Sequence, residues 1–273
     1  MENNKSSKKQ LVHSILMFLI LIVYIVFINV AFVVWLHINN IHLSLVMQII
    51  AGQVLSFFIP FIIYLAIKKQ SINQVLLLNP LDVKNFILIF FITISSLPLA
   101  AFISSVTSLF MENAAAHILI PATDTYQLNL LVLAIGVTPA ILEEIIFRGV
   151  FYKELNKLPH FVSALIGGLF FGIVHLNLQQ FFYAFALGIL FAYFVHYTKS
   201  IWAPILSHFL INTINVVAMY FQINSQDVQL DIDPIEMGLA PVITIGIFAI
   251  IFSPFLIFLM RLLKKHNDKK ITS

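Results

Sequence analysis

Apolar residues run through the chain in blocks long enough to cross the roughly 30 Å hydrocarbon core of a bilayer as helices. Polar residues gather in the short stretches between the blocks. The blocks predict spans over roughly 11–36, 43–67, 86–110, 128–155, 161–177, 180–198, 201–221 and 237–260. The predicted fold class is therefore all-α, a polytopic transmembrane helical bundle of about eight spans. Segment 71–84 is apolar but too short and too interrupted to cross, and is expected to lie along the interface. The apolar run after the charged first ten residues is too long for a signal-peptide core and lacks a small-residue cleavage site. It reads as the first span.

Composition supports the same environment. Hydrophobic residues make up 60% of the 273 and charged residues only 10%, against roughly 25% charged in a soluble domain. The mean hydropathy is +1.00. The pI of about 9.0 is no sign of nucleic-acid binding, because the basic residues sit at span ends. The absence of Cys excludes disulfides, thiolate catalysis and cysteine metal sites.

The basic residues also orient the chain. Lys5, Lys8, Lys9, Lys68, Lys69, Lys84, Arg148, Lys153, Lys157, Lys199, Arg261, Lys264, Lys265, Lys269 and Lys270 all fall on one side if the spans alternate. The opposite loops, 37–42, 111–127 and 222–236, hold no Lys or Arg. The last two carry Glu112, Asp124, Asp227, Asp231, Asp233 and Glu236. The positive-inside rule then predicts a multi-pass protein of the cell membrane with both termini cytoplasmic.

Polar residues inside the spans are the candidates for chemistry, since a carboxylate at membrane depth costs about 2.5–3.5 kcal/mol on insertion scales. Glu143, Glu144 and Arg148 lie in the fourth predicted span. Glu144 and Arg148 are four apart and share a helix face, so they can pair. Glu143 is turned about 100° from Glu144 and must face another neighbour, which leaves it free to accept a proton. The competing reading of Glu144 and Arg148 is an ion pair that only locks helices together. His175 lies near the far end of the fifth predicted span, and a lone intramembrane His is often only a hydrogen-bond partner between helices. His208, Asn212 and Asn215 form a polar stripe on one face of the seventh. Rises of about 1.5 Å per residue bring these groups to matching depths, predicting convergence in the cytoplasmic half of the bilayer.

A convergent Glu, two His and an Asn can carry out hydrolysis. A carboxylate helped by an imidazole can deprotonate water, and His and Asn donors can stabilise an oxyanion. The same side chains offer a second reading, Zn²⁺ held by Glu143, His175 and His208 with an open water position. No H-E-x-x-H helix is present. Ser207 is discounted as a nucleophile, because helix neighbours point about 100° apart and His208 cannot serve it.

At these residues the chain resembles the CPBP (Abi) intramembrane proteases, a family that includes the type II CAAX prenyl endopeptidases and bacteriocin-processing and immunity proteins. Its pattern is E-E-x-x-x-R, then F-x-x-x-H, then H-x-x-x-N. Here these read Glu143-Glu144-Ile-Ile-Phe-Arg148, Phe171-Gly-Ile-Val-His175 and His208-Phe-Leu-Ile-Asn212. The resemblance divides the chain into a tail (1–10), N-terminal transmembrane helices (11–127), a catalytic core (128–221) and a last transmembrane helix with a basic tail (222–273). It implies an intramembrane endopeptidase with Glu143 as general base, His175 assisting, His208 and Asn212 as oxyanion hole, and Glu144 and Arg148 in support. It implies no cofactor in the glutamate reading and Zn²⁺ in the metal reading. The metal-free version is favoured because Asn is a poor zinc ligand and a good oxyanion donor. The implied partners are a membrane-associated protein or peptide substrate, the lipid bilayer and a membrane-protein regulatory partner, with no nucleic acid. Two other classes stay open: a non-catalytic scaffold, immunity or regulatory protein, and a proton-coupled transporter, which the lack of paired repeats disfavours.

Overall fold

The computed structural model describes residues 2–111, 121–123, 125–224 and 239–272. The helices that build the site are α1 (Glu2–Ile38), α2 (Leu45–Lys68), α3 (Ile72–Val75), α4 (Val83–Ser108), α5 (Leu128–Glu154), α6 (His160–Ile173), α7 (Leu178–Thr198), α8 (Trp202–Asn224) and α9 (Leu239–Thr272). No strand occurs among the described residues. A lone antiparallel bridge joins Leu78 to Ser200. Among the described residues seven helices are long and apolar enough to cross a membrane. The acidic residues assigned to the loops 111–127 and 222–236 lie outside the described residues.

Helix ends follow local chemistry. Ser44 caps α2 by accepting from the Met47 N–H, and Asn177 caps α7 by accepting from Gln179 and Gln180. Lys69 and Lys199 end α2 and α7 in the left-handed conformation. Pro60 and Pro139 each follow a widened, π-helical stretch, Val54–Phe58 and Val132–Val137. Proline lacks an N–H and crowds the carbonyl four residues back, so the extra residue in the turn relieves the clash.

Three predicted elements differ from those found. The fifth predicted span, 161–177, is the shorter helix α6. At 1.5 Å per residue its fourteen residues reach only about 21 Å. It pairs with α7 as a hairpin, where a Cβ on Gly188 would lie 2.7 Å from the Gly168 Cα. Only glycine at that crossing permits so close an approach. The second difference is α9, which continues helically through the basic residues to Thr272. Segment 71–84 is not simply interfacial: Val75 and Leu76 are buried, Ile201 N–H donates to the Leu77 carbonyl, and Asn79 Nδ2 donates to Lys199 O.

Contacts define two faces of the bundle. Gln10 bonds Asn156 at 3.3 Å, Lys68 pairs with Glu154 at 3.1 Å, and Asp82 meets His266 and Lys270. The outer turns of α1 and α9 therefore share one face with the α2–α4, α5–α6 and α7–α8 connections. Helix α5 is the most enclosed span, with half of its apolar window buried, against 17% for α1 and 22% for α9. Apolar side chains such as Val23, Phe27, Ile250 and Ile251 look outward, as lipid requires.

Lipid tails are as apolar as the helix faces, so packing and interhelical hydrogen bonds must hold the bundle. Asn85 and Asn267 exchange side-chain bonds of 3.0 and 2.8 Å between α4 and α9. Thr93 Oγ1 donates to Ser207 Oγ at 2.7 Å between α4 and α8. Asn29 Nδ2 donates to Ser56 Oγ at 2.8 Å between α1 and α2. Such bonds contribute about 0.6 kcal/mol each on average.

Asp82 caps α4 and ties α9 to it. Partial burial alone would raise its carboxyl. Hydrogen bonds from Lys270, the Asn85 N–H and His266, together with the Lys270 charge, outweigh this and hold it down at about 2. A depressed carboxyl stabilises the fold fully above its ordinary value near 4 and loses that contribution as pH falls toward 2. Asp82→Ala should cost about 1 kcal/mol as a lost cap, about 2–4 °C in Tm. It should also remove the part of the acid destabilisation between pH 4 and 2 that Asp82 contributes. Thermal unfolding in detergent across pH checks both.

Candidate active site

The two neighbouring glutamates of α5 turn to different partners. Glu144 is fully buried, and its Oε1 accepts from Arg148 Nη1 at 3.0 Å and from His208 Nδ1 at 2.9 Å. Arg148 uses Nη2 to donate to the Gly188 carbonyl of α7 at 3.0 Å. Its guanidinium carbon lies 4.4 Å from the Phe171 ring centre and 5.2 Å from that of Phe191, close enough for attraction by the ring faces. This clasp joins α5, α6, α7 and α8. Since an ionised carboxylate only accepts, Nδ1 of His208 carries a proton.

Glu143, 6% exposed, faces α2 instead. Gln53 Nε2 donates to its Oε1 at 3.1 Å, while Oε2 has no hydrogen-bond partner among the described residues. His175 lies in the turn just beyond the end of α6, with Nδ1 2.7 Å from the Phe171 carbonyl. A carbonyl accepts, so Nδ1 carries the proton and Nε2 is left with a free lone pair. The next residue, Leu176, sits at φ 50°. This left-handed conformation costs a non-glycine residue about 1–2 kcal/mol and turns the chain sharply into α7. Asn212 Nδ2 donates to the Ile135 carbonyl at 3.0 Å, inside the widened turn of α5.

Glu143, His175, His208, Asn212 and Asn215 all line one cavity of about 420 Å³. The sequence-predicted residues therefore come together. Glu143 lies eleven residues from Glu154 and fifteen from Leu128, about 17 and 22 Å along the helix. The cavity continues to Ile135, Tyr183 and Met219, away from the face shared by the outer turns of α1 and α9. Ile49 and Gln53 of α2 and Gln180 and Tyr183 of α7 complete its wall. Ser207 points elsewhere, fully buried against Thr93 of α4.

A family model described as type II CAAX prenyl endopeptidase Rce1-like matches residues 125–214. A protein of Bacillus subtilis (strain 168) named "Putative membrane peptidase YdiL" is 38% identical over 89 residues, 32% of this chain and 36% of that protein. Over residues 125–214 the chain is therefore similar to the type II CAAX prenyl endopeptidase-like proteins and to a protein named as a membrane peptidase. The chain spans about a third of the length of the relative it matches. No solved structure matches it.

The matched segment contains Glu143, Glu144, Arg148, His175, His208 and Asn212. It omits Gln53, the direct partner of Glu143, which sequence reasoning missed along with Gln180 and Tyr183. The available signal was weak. Gln53 is one of two amides in a mostly apolar span, outside any motif.

Among the described residues no three His, Cys, Asp or Glu side chains group so as to hold a metal ion. Bonds through Nδ1 of His175 and His208 are the arrangement that metal-bound histidines also take, so these bonds do not separate the two readings.

The clasp yields a stability prediction. Arg148→Ala leaves the Glu144 carboxylate buried without its cation, at a cost of about 3–5 kcal/mol. Thermal unfolding of purified protein in detergent should show a large fall in Tm. Arg148→Lys should recover only part of it, because an ammonium lacks the planar fork that meets Glu144 and Gly188 together. An unchanged Tm for Arg148→Ala would rule out a structural clasp.

Proposed function

We propose that the chain is an intramembrane endopeptidase that hydrolyses a peptide bond of a membrane-associated protein or peptide without a metal. The observation that carries this reading is the division of labour between adjacent carboxylates. Glu144 meets Arg148 and His208 through Oε1 and is fully buried, its own Oε2 partnerless, while Glu143 is bonded by the neutral Gln53 and lies at a cavity wall with Oε2 partnerless.

In this mechanism Glu143 Oε2 takes a proton from water, and the water oxygen attacks the scissile carbonyl carbon. His175, with Nε2 free, accepts the water's second hydrogen bond and orients it. The carbonyl oxygen becomes an oxyanion facing His208 and Asn212. To donate from Nε2 as well as Nδ1, His208 must carry both protons. Its charge, with Arg148, then balances Glu144 and the oxyanion. Collapse of the intermediate breaks the C–N bond, and Glu143 returns its proton to the leaving nitrogen. A carboxylic acid and an amine are released. Asn212 spends one amide hydrogen on Ile135 and keeps the other for the oxyanion.

We further propose that the protein resides in the cell membrane with both terminal segments cytoplasmic. Reporter fusions after Lys69, Lys199 and Lys265 should all report cytoplasm; an extracytoplasmic signal at any of them would overturn this orientation.

The activity is tested by comparing membrane peptides from cells carrying the wild-type chain and Glu143→Gln, which keeps the shape but cannot take a proton. Peptides released by the wild type should be absent from the variant at equal protein level and Tm. His208→Ala and Asn212→Ala should each slow their release by about 10²–10³. A chelator should leave release unchanged; loss restored by zinc would return Glu143, His175 and His208 to the role of metal ligands. Identical peptides from wild type and Glu143→Gln would leave a non-catalytic scaffold as the function.

A further inference from the structure

Glu143 is a wall shared by two cavities. The second, about 430 Å³, lies between α1 and α2, largely outside the matched segment 125–214. It reaches Leu45, the first residue of α2, at the face opposite the outer turns of α1 and α9. Its inner end is closed by Gln53, Glu143 and His175. Along α2, Gln48, Gly52 and Ser56 recur every four residues and so share a helix face. On α1, Asn29 faces them, bonded to Ser56 and 3.1 Å from where a Cβ on Gly52 would stand.

Polar side chains in spans are costly unless they pair or line wet space. Here a line of them leads to two buried oxygens without partners, Gln53 Oε1 and Glu143 Oε2, the latter on a side chain 6% exposed. At about 30 Å³ per molecule the space holds on the order of ten waters. The 420 Å³ cavity on the other side of Glu143 carries His208 and Asn212, the proposed oxyanion donors. Substrate belongs on that side, and the second cavity is left for the other reactant.

We propose that the cavity between α1 and α2 is a hydrated passage that delivers the attacking water to Glu143. The role of that water rests on the hydrolytic reading above; the hydration of the passage does not.

The natural chain has no cysteine, so single-cysteine variants report one position each. In freeze–thawed membranes open on both faces, a charged methanethiosulfonate should modify Asn29→Cys, Gln48→Cys and Ser56→Cys. The rate should be at least about tenfold that of Phe27→Cys and Val30→Cys, because the reactive thiolate forms only in contact with water. Phe27 and Val30 flank Asn29 and are 69% and 60% exposed on the lipid side of α1. Gln48 bonds only the nearby Leu43 carbonyl, so its variant keeps the test standing if loss of the Asn29–Ser56 bond impairs folding. Adding Gly52→Leu should slow labelling of Ser56→Cys and spare Gln48→Cys, which lies nearer the open end. Equal slow labelling of cavity and lipid-facing positions would overturn the passage.

The second arm uses the peptide-release assay. Gly52→Leu should lower kcat about tenfold with KM unchanged, as expected when water supply and not substrate binding is lost. A raised KM at unchanged kcat would make the cavity a substrate arm and overturn the proposal. If Glu143→Gln leaves peptide release unchanged, the hydrolytic reading fails, and labelling alone still decides whether the passage is wet.

Discussion

The buried Glu144–Arg148 pair is the constraint around which the described helices are arranged. Two charges at this depth are tolerable only if each is matched and hydrogen-bonded. Meeting that demand requires the Gly188 carbonyl, the His208 ring and the faces of Phe171 and Phe191 at fixed distances. Those partners lie on α7, α8 and α6. Satisfying one ion pair therefore brings four helices into register. The glycines at the α6–α7 crossing serve the same end, because Arg148 reaches the Gly188 carbonyl at the point where α6 and α7 approach most closely.

Departures from regular helix cluster around the same place. The widened turn Val132–Val137 accommodates Pro139 and contains the Ile135 carbonyl that Asn212 meets. A second widened turn carries Arg148 itself. Leu176 takes a left-handed conformation immediately after His175. Each irregularity costs free energy in isolation, and each persists because packed neighbours over-determine it. The remainder of the bundle is held by ordinary means, aromatic packing such as the Phe18–Phe170 stack at 4.0 Å and polar seams between spans.

Adjacent residues on a helix differ in direction by about 100°. Here that separates a carboxylate spent on structure from one left at a cavity wall. Glu143 is held at one oxygen by Gln53 and left open at the other. Gln53 sits on α2, beyond the matched segment of residues 125–214. The surroundings of Glu143 thus depend on parts of the chain that the family resemblance does not reach.

Much was legible in the residues alone. Blocks of apolar residues determine where helices run, because a chain in lipid must satisfy its backbone bonds internally. The spacing of Glu144 and Arg148 determines that they pair, and the string around Glu143, His175 and His208 marks the segment. Only the tertiary structure decided the rest. It placed Glu144 against His208, 64 residues away, and Glu143 against Gln53, 90 residues away. It shortened the fifth predicted span to α6 and left His175 in a turn beyond it. It joined these residues to Ile135, Tyr183 and Met219 around one cavity. Periodicity reports which face of a helix is polar and how far along it a residue lies. Which neighbour meets that face, and from which side of the bilayer that neighbour enters, depends on packing between segments distant in the chain.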